Sequence, residues 1–291
     1  MTSGKANSLR YALVFLVALT TLHSHPAVAL DLQLAGKTAL VTGSTSGIGY
    51  ATARALLQEG AALIVNSNKQ ESVDRAVASL KAETGRTPQG FVADVTKADD
   101  VARLVAAFPR VDILVNNVGG MIPREFEQTT DEDWYRSFDL NVMSGVRLSR
   151  AYLPGMKQRN WGRIIFLSSE SGLQIPVESI QYGMTKAAVI AVARGLAELC
   201  ARTGVTVNSI LPGPTMDPQD PRIAQMLKRG GGSFEQMQEN FIKTRRPTSI
   251  IQRFARPAEV ASLIVYVASP LASATTGAAL RVDGGVVKSA F

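Results

Sequence analysis

Cysteine is almost missing. Cys200 is the single thiol in 291 residues, so no internal disulfide can staple the fold and no C-x-x-C pair points to zinc or a redox couple. Histidine is nearly as scarce, and both copies, His23 and His25, lie in the N-terminal stretch. Metal chemistry and Ser-His-Asp hydrolysis therefore lack their usual residues in the body of the chain. Aromatics make up only 6% and charged residues 19%, and no repeat or low-complexity tract occurs. What is abundant is hydrophobic content, at 46%, and glycine, at 24 residues. That balance excludes disorder, fills a substantial core, and suits a compact α/β protein better than a sandwich or a coiled coil.

A long apolar run is also lacking. The stretch from Tyr11 to Leu22 falls short of the ~20 apolar residues that span a bilayer, so no membrane span is expected. It follows Lys5 and Arg10 and precedes Ala27-Val28-Ala29, the small-x-small pattern of a signal-peptidase site. Two readings stand: a secretory signal, or a misassigned extension upstream of a natural start at Leu30-Asp31. Residues 1–30 are set apart on either reading, and no linker divides 31–291, which is expected to form one domain. The net charge of +7 is dispersed. Its densest cluster, Lys243, Arg245, Arg246, Arg253 and Arg256, carries no interleaved aromatics, which fits a solvated or phosphate-facing patch and not a nucleic-acid groove.

Chemistry begins at the β-prone run Lys37-Thr38-Ala39-Leu40-Val41. It flows into Thr42-Gly43-Ser44-Thr45-Ser46-Gly47-Ile48-Gly49 and then into a helical stretch, Tyr50 to Glu59, closed by Gly60. Ala62 to Asn66 supplies the second strand of a βαβ unit. Such a turn sets backbone N–H groups and a helix N-terminus against a pyrophosphate, and glycines let the backbone approach without a Cβ in the way. The context points to dinucleotide binding through Gly43, Ser44, Thr45, Ser46, Gly47, Ile48 and Gly49. Nicotinamide nucleotides are kept inside the cell, so the cytoplasm is the expected location, with export as the alternative if residues 1–29 are a genuine signal.

The alternation continues downstream. Glu71 to Glu83 reads as helix, Gly90 to Ala93 as strand ending at Asp94, Lys97 to Ala107 as helix, and Val111 to Val115 as strand ending in Asn116-Asn117-Val118-Gly119. Asp131 is expected to cap a long helix running to about Met156. Arg163 to Leu167 is a strand, Ser179 to Ala201 a long helix, and Val205 to Leu211 a strand broken by Pro212-Gly213-Pro214. After an irregular stretch come a helix, Pro257 to Ala268, and a last strand, Ala278 to Val282, before Asp283-Gly284-Gly285. The implied fold class is α/β: a doubly wound, parallel, seven-stranded sheet of Rossmann type in a single domain.

Tyr182 and Lys186 are spaced i, i+4 on a predicted helix, so both project from one face. An ammonium there favours phenolate over phenol, which would lower the ordinary tyrosine pKa of about 10 toward the range that proton transfer needs. Ser169 follows the strand Arg163 to Leu167, where its hydroxyl can hold a carbonyl oxygen beside the phenol. Its neighbour Ser168 is an equal candidate on position alone.

The chain resembles the short-chain dehydrogenase/reductases along essentially all of residues 35 to 290. The matching motifs are TGxxxGIG at Thr42 to Gly49, Asp94-Val95, an NNxG element at Asn116 to Gly119, the Ser-Tyr-Lys set, and Pro212-Gly213 after the sixth strand. Val118 departs from the family, which usually has Ala there. The resemblance is nearest to the 3-oxoacyl-[acyl-carrier-protein] reductase type. It implies NAD(P)-dependent hydride transfer between nicotinamide and a carbonyl or secondary alcohol, with Tyr182 as acid/base. It selects Ser169 over Ser168 and adds Asn141 as the residue that retains a water linking Lys186 to solvent. It also implies cofactor contacts from Asp94, Val95, Asn117, Gly119, Tyr182, Lys186, Pro212 and Gly213, with Thr215 holding the carboxamide.

The family further implies a homotetramer built on the helices around Asp131 to Met156 and Ser179 to Ala201, and a substrate lid near 214–248. NAD-preferring relatives place a carboxylate at the end of the second strand; here Asn66, Ser67, Asn68 and Lys69 stand there. Neutral donors and one cation imply NADP(H) over NAD(H), with Asn66, Asn68 and Lys69 as the contacts. Two rivals are weighed against this reading. A silent nucleotide-sensing scaffold would be marked by loss of the Tyr or Lys, and neither is lost. A nucleotide-sugar epimerase or dehydratase would usually carry a longer C-terminal region.

Overall fold

A computed structural model of the chain describes residues 30–122 and 124–290; the signal-like stretch 1–29 lies outside the described residues. From Leu32 onward the chain forms one compact unit. Its elements are β1 (Thr38–Val41), α1 (Gly47–Gln58), β2 (Ala62–Ser67), α2 (Gln70–Thr84), β3 (Gln89–Val92), α3 (Ala98–Ala107), β4 (Ile113–Asn116), α4 (Asp131–Phe138) and α5 (Ser144–Gln158). They continue with β5 (Gly162–Leu167), α6 (Ile180–Leu199), β6 (Val205–Pro212), α7 (Pro221–Gly230), α8 (Phe234–Arg245), α9 (Pro257–Ala268) and β7 (Ala279–Val282).

The strands make one seven-stranded sheet in the order β3-β2-β1-β4-β5-β6-β7, every pair parallel. Side chains alternate across a strand, and the register turns that alternation into two cores. Ile64, Leu40, Leu114, Ile164 and Val207 form one row across the sheet and pack with Leu104 of α3, Leu148 of α5 and Val189 of α6. Val65, Val41, Val115 and Ile165 form the opposite row and pack with Leu56 of α1 and Ile264 of α9. Burial on both faces is why these strands read as continuous apolar runs.

The chain winds outward from β1 through β2 to β3, and from β4 through to β7 on the other side. At that reversal the crossovers diverge and a crevice opens beyond the carboxyl ends of the strands. The doubly wound parallel sheet expected from the sequence is the fold observed.

Three expectations about the helices are corrected. The helix expected from Asp131 to Met156 is interrupted by a π-helical segment, Asp139–Met143, and its cap is Thr130, not Asp131. The Thr130 Oγ1 accepts from the Asp133 N–H while the Asp133 carboxylate accepts from the Thr130 N–H, a reciprocal pair that satisfies two otherwise orphaned donors. The first helix starts at Gly47, earlier than Tyr50, so its N-terminus lies inside the glycine motif. The stretch read as irregular holds α7 and α8. Gly231 and Gly232 separate them in left-handed conformations at φ +70 and +92, and Ser233 with Gln236 forms the capping box of α8.

Candidate active site

The first wall of the site is the β1–α1 turn. Thr42 Oγ1 accepts from the N–H groups of Asn117 and Val118, and Asn117 Nδ2 donates to the carbonyls of Thr42 and Gly43. The NNxG element therefore braces the glycine turn from the neighbouring strand. A Cβ on Gly49 would fall 2.4 Å from the Gly43 carbonyl oxygen and 2.5 Å from Asn117 Nδ2, so only glycine lets the helix approach this closely. Gly47 has φ +56 with open space where a Cβ would stand. The N-cap of α1, Ser46, gives no side-chain cap to the helix, whose first N–H groups have no intrahelical partner. This uncapped N-terminus faces a cavity of about 530 Å³.

Gly43, Ser46, Gly47, Ile48, Gly49, Asn117, Gly119, Ser169, Tyr182, Lys186, Pro212, Gly213 and Thr215 all line that one cavity. Ser44 does not: it is fully buried, exchanging backbone and hydroxyl hydrogen bonds with the backbone of Asn66. Thr45 is half-buried and outside the cavity wall. A Cβ on Gly213 would strike the Asp283 carbonyl oxygen at 2.4 Å, which fixes the turn after β6 against the Asp283-Gly284-Gly285 motif. Thr215 Oγ1 donates to the Gly213 carbonyl at 2.9 Å.

The adjacent serines at the end of β5 are told apart by what they touch. Ser168 Oγ donates to the backbone carbonyl of Lys186 at 2.7 Å, tying the strand to α6. Ser169 Oγ accepts from the Ser171 N–H and hydrogen-bonds the Tyr182 hydroxyl. Lys186 Nζ donates to the Leu167 carbonyl at 2.7 Å and sits 5.5 Å from the Tyr182 ring centroid.

Asn141 occupies the π-helical segment, a geometry that recurs at functional sites. Its side chain closes a pair of hydrogen bonds with Gly120, Oδ1 accepting from the N–H at 2.8 Å and Nδ2 donating to the carbonyl at 3.0 Å. A Cβ on Gly119 would come within 2.8 Å of Asn141 Oδ1 and 3.1 Å of Lys186 Nζ. Asn141 and Lys186 therefore flank the same glycine.

Electrostatics depart from the expectation for Tyr182. Burial pushes its phenol up to about 12; the Ser169 hydrogen bond and Arg246 pull it down, and Glu170 adds to the rise. Burial likewise lowers Lys186 to about 8. The ammonium is engaged with the Leu167 carbonyl, and desolvation is the largest influence on both groups.

At the far end the structure redistributes the remaining residues. Asn66 is 1% exposed and turned into the sheet, its Nδ2 donating to the carbonyls of Phe91 and Ala93. The open edge beyond β2 consists of Asn68 and Lys69, both exposed. Asp94 Oδ1 accepts from the N–H and hydroxyl of Thr96, and Val95 is packed in the core. The basic cluster is largely neutralised by ion pairs from Arg246 to Glu170 and Glu178, and from Arg253 and Arg256 to Glu259. Met216, Asp217 and Ile223 also line the cavity and were not singled out by the sequence. Their signal was position alone, just beyond Pro212-Gly213. The glycine cradle, the uncapped helix end and Lys186 fit a dinucleotide.

Fold and site together define an oxidoreductase on a doubly wound sheet. A family model described as enoyl-(acyl carrier protein) reductase matches residues 43–287. The oxidoreductase YvaG of Bacillus subtilis (strain 168) is 44% identical over 266 residues, 90% of this chain and 100% of its own length. D-β-hydroxybutyrate dehydrogenase of Cupriavidus necator is 34% identical over 265 residues, 88% of this chain and 99% of its own. L-Sorbose reductase of Gluconobacter frateurii, solved with NADPH and L-sorbose, is 32% identical with a TM-score of 0.82, covering 89% of this chain and 100% of that one. The chain belongs to the short-chain dehydrogenase/reductase family, with a 3-oxoacyl-acyl-carrier-protein-reductase-like relationship.

Proposed function

We propose that the protein is an NAD(P)-dependent reductase and dehydrogenase of carbonyl compounds and secondary alcohols, with Tyr182 as acid/base. The observation that carries this reading is the convergence of Ser169, Tyr182 and Lys186 with the glycine-lined N-terminus of α1 on one cavity. A nicotinamide cofactor held there supplies or accepts the hydride. Tyr182 gives its proton to the carbonyl oxygen, and with its phenol pushed up to about 12 the resident form at neutral pH is the donor. Ser169 donates a hydrogen bond to the same oxygen as negative charge develops on it. Lys186 places an ammonium behind the phenol and would hold the ribose hydroxyls of the cofactor. Asn141 holds Gly120 and flanks Lys186 across Gly119, the place from which it would retain a water.

The cofactor reading is NADP(H) in preference to NAD(H). It is supported by the exposed edge of Asn68 and Lys69 beyond β2, where no carboxylate opposes a 2′-phosphate. Assembly as a homotetramer is supported by large apolar side chains left exposed on the implied helices: Tyr135 at 74% and Phe138 on α4, and Leu199 on α6. A cytoplasmic location follows from the cofactor; among the described residues no helix is long and apolar enough to cross a membrane.

The test is consumption of NADPH and NADH, read by absorbance, over a panel of ketones and aldehydes, with Tyr182→Phe as control. Turnover of at least one carbonyl that disappears in the control is expected. Turnover equal in both proteins would refute the assignment.

A further inference from the structure

Ser169 and Tyr182 come from different elements, and a single guanidinium ties the two together. Arg246 stands at the C-terminus of α8, where its own N–H closes the last turn on the Ile242 carbonyl. Its Nε donates to Glu170 Oε1 at 2.7 Å, and Glu170 is the residue immediately after Ser169. Its Nη1 reaches Glu178 Oε1 at 3.4 Å, in the short turn Val177–Ser179 that leads into α6 and Tyr182. One side chain thus grips the turn that carries the serine and the entrance of the helix that carries the tyrosine.

The surroundings are close-packed. The side chains of Arg246 and Glu170 are 12% and 4% exposed. A Cβ on Gly172 would come within 2.8 Å of the Lys186 backbone, and one on Gly183 within 3.0 Å of the Ser171 carbonyl oxygen, so the turn after Ser169 lies directly on α6. Glu170 Oε2 is buried with no hydrogen-bond partner among the described residues. A buried ion pair of this kind is often neutral or costly for stability, so stability alone does not account for its place beside Ser169.

We infer that Arg246 and Glu170 are positioning residues for the proton transfer at Tyr182. The guanidinium holds Ser169 and Tyr182 in register and balances the Glu170 charge beside the phenol. The inference rests on the assignment of Tyr182 as acid/base. The charged or titratable groups around the phenol are Lys186 on its own helix, Glu170 and Glu178 in the two turns, Arg245 and Arg246 at the end of α8, and Asp217 and Asp220 across the cavity. Of these, Glu170 and Arg246 act on Tyr182 in opposite directions, the carboxylate raising it and the guanidinium lowering it.

The test compares Arg246→Met, Arg246→Lys, Glu170→Gln and the double variant Arg246→Met/Glu170→Gln in the full chain. Two readouts are used: the pH profile of kcat for alcohol oxidation, and the tyrosinate ultraviolet band after a rapid pH jump, as the difference from the matching Tyr182→Phe protein. Arg246→Met is expected to move the Tyr182 ionisation upward by about one pH unit and Glu170→Gln to move it downward by a similar amount. The double variant should return toward the wild-type position and Arg246→Lys should hold it. In Arg246→Met, kcat should fall roughly ten-fold with KM little changed.

If Arg246→Met does not fold, Glu170→Gln and Arg246→Lys carry the comparison. An unmoved Tyr182 ionisation, with only the melting temperature altered, would overturn the inference. The optical titration reads the coupling even if no alcohol is oxidised, so failure of the proposed activity and failure of this inference are distinguishable.

Discussion

Ser168→Ala and Ser169→Ala change adjacent residues by the same oxygen atom, yet the structure assigns them different consequences. The Ser169 hydroxyl faces the phenol, and its hydrogen bond pulls Tyr182 downward against burial. On the proposed mechanism, removing it deletes a preorganised donor to the developing oxyanion, worth about 10²–10³ in kcat, and lets the phenol rise further. Ser169→Ala also removes the cap on the buried Ser171 N–H, at a cost of about 0.5–2 kcal/mol. Ser168 Oγ instead satisfies the buried Lys186 carbonyl at 2.7 Å. That carbonyl keeps its intrahelical partner, so the loss costs one ordinary hydrogen bond, about 0.5–1.5 kcal/mol, which for a domain of this size lowers the melting temperature by about 2–4 °C per kcal/mol. Turnover should stay within a few-fold of wild type. Initial rates of NADPH oxidation with a responsive carbonyl separate the outcomes, and thermal melts show that both variants are folded at the assay temperature. If Ser168→Ala were the variant that lost turnover while Ser169→Ala kept more than about a tenth of it, the roles argued from these contacts would be reversed.

Tyr182→Phe should keep cofactor binding, measured by titration, while kcat falls by roughly 10²–10⁴, since only the proton donor is lost. Lys186→Met should damage both cofactor binding and turnover, yet melt no lower than wild type at neutral pH, because it removes a buried ammonium. Burial holds Lys186 at about 8, below its ordinary value, so the folded protein releases this proton before the unfolded chain does. Its contribution to stability therefore rises with pH from about 8 until the unfolded lysine titrates, and thermal melts at neutral and alkaline pH should show that rise in wild type but not in Lys186→Met. Lys69→Glu should shift preference toward NAD(H) by roughly ten-fold, read from paired titrations; tighter NAD(H) binding by the unmodified protein would refute the NADP(H) assignment. Light scattering should give the mass of four chains, and the mass of one chain would reject the tetramer.

The seven strands and the burial of the sheet on both faces were legible because they depend on local pattern. The run Thr38 to Val41 is apolar on both sides, and the turn that follows it holds glycines where φ is positive or a Cβ would collide. Those constraints act within a few residues, so sequence carries them. The π-helical segment was not legible. Nothing in Asp139-Leu140-Asn141-Val142-Met143 breaks helical periodicity, and the widened turn is expressed only in the long-range pair between Asn141 and Gly120. The helices α7 and α8 lay partly within reach. Ser233 and Gln236 have the spacing of a capping box, but the three glycines before them read as loop, and the Phe234, Phe241 and Phe254 cluster that seats α8 is tertiary.

Asn66 illustrates a different limit. The end of β2 marks the candidate cofactor-reading edge to within a residue or two, but Asn68 and Lys69 lie beyond the strand's last residue, Ser67, where alternation no longer tells which side chain turns inward. Asn66 takes the inward place and closes on Phe91 and Ala93, which leaves the outer edge to Asn68 and Lys69. The charge environment of Tyr182 is still less local. Tyr182 and Lys186 share a helix face, as their spacing requires, yet the spacing says nothing about how much water is removed from each. Burial moves both groups away from the form that pairing alone would favour. The groups that offset it arrive from Ser169 and, far along the chain, Arg246. The candidate site is set by motif chemistry at its centre and by long-range burial and charge around it, and only the first of these is written in consecutive residues.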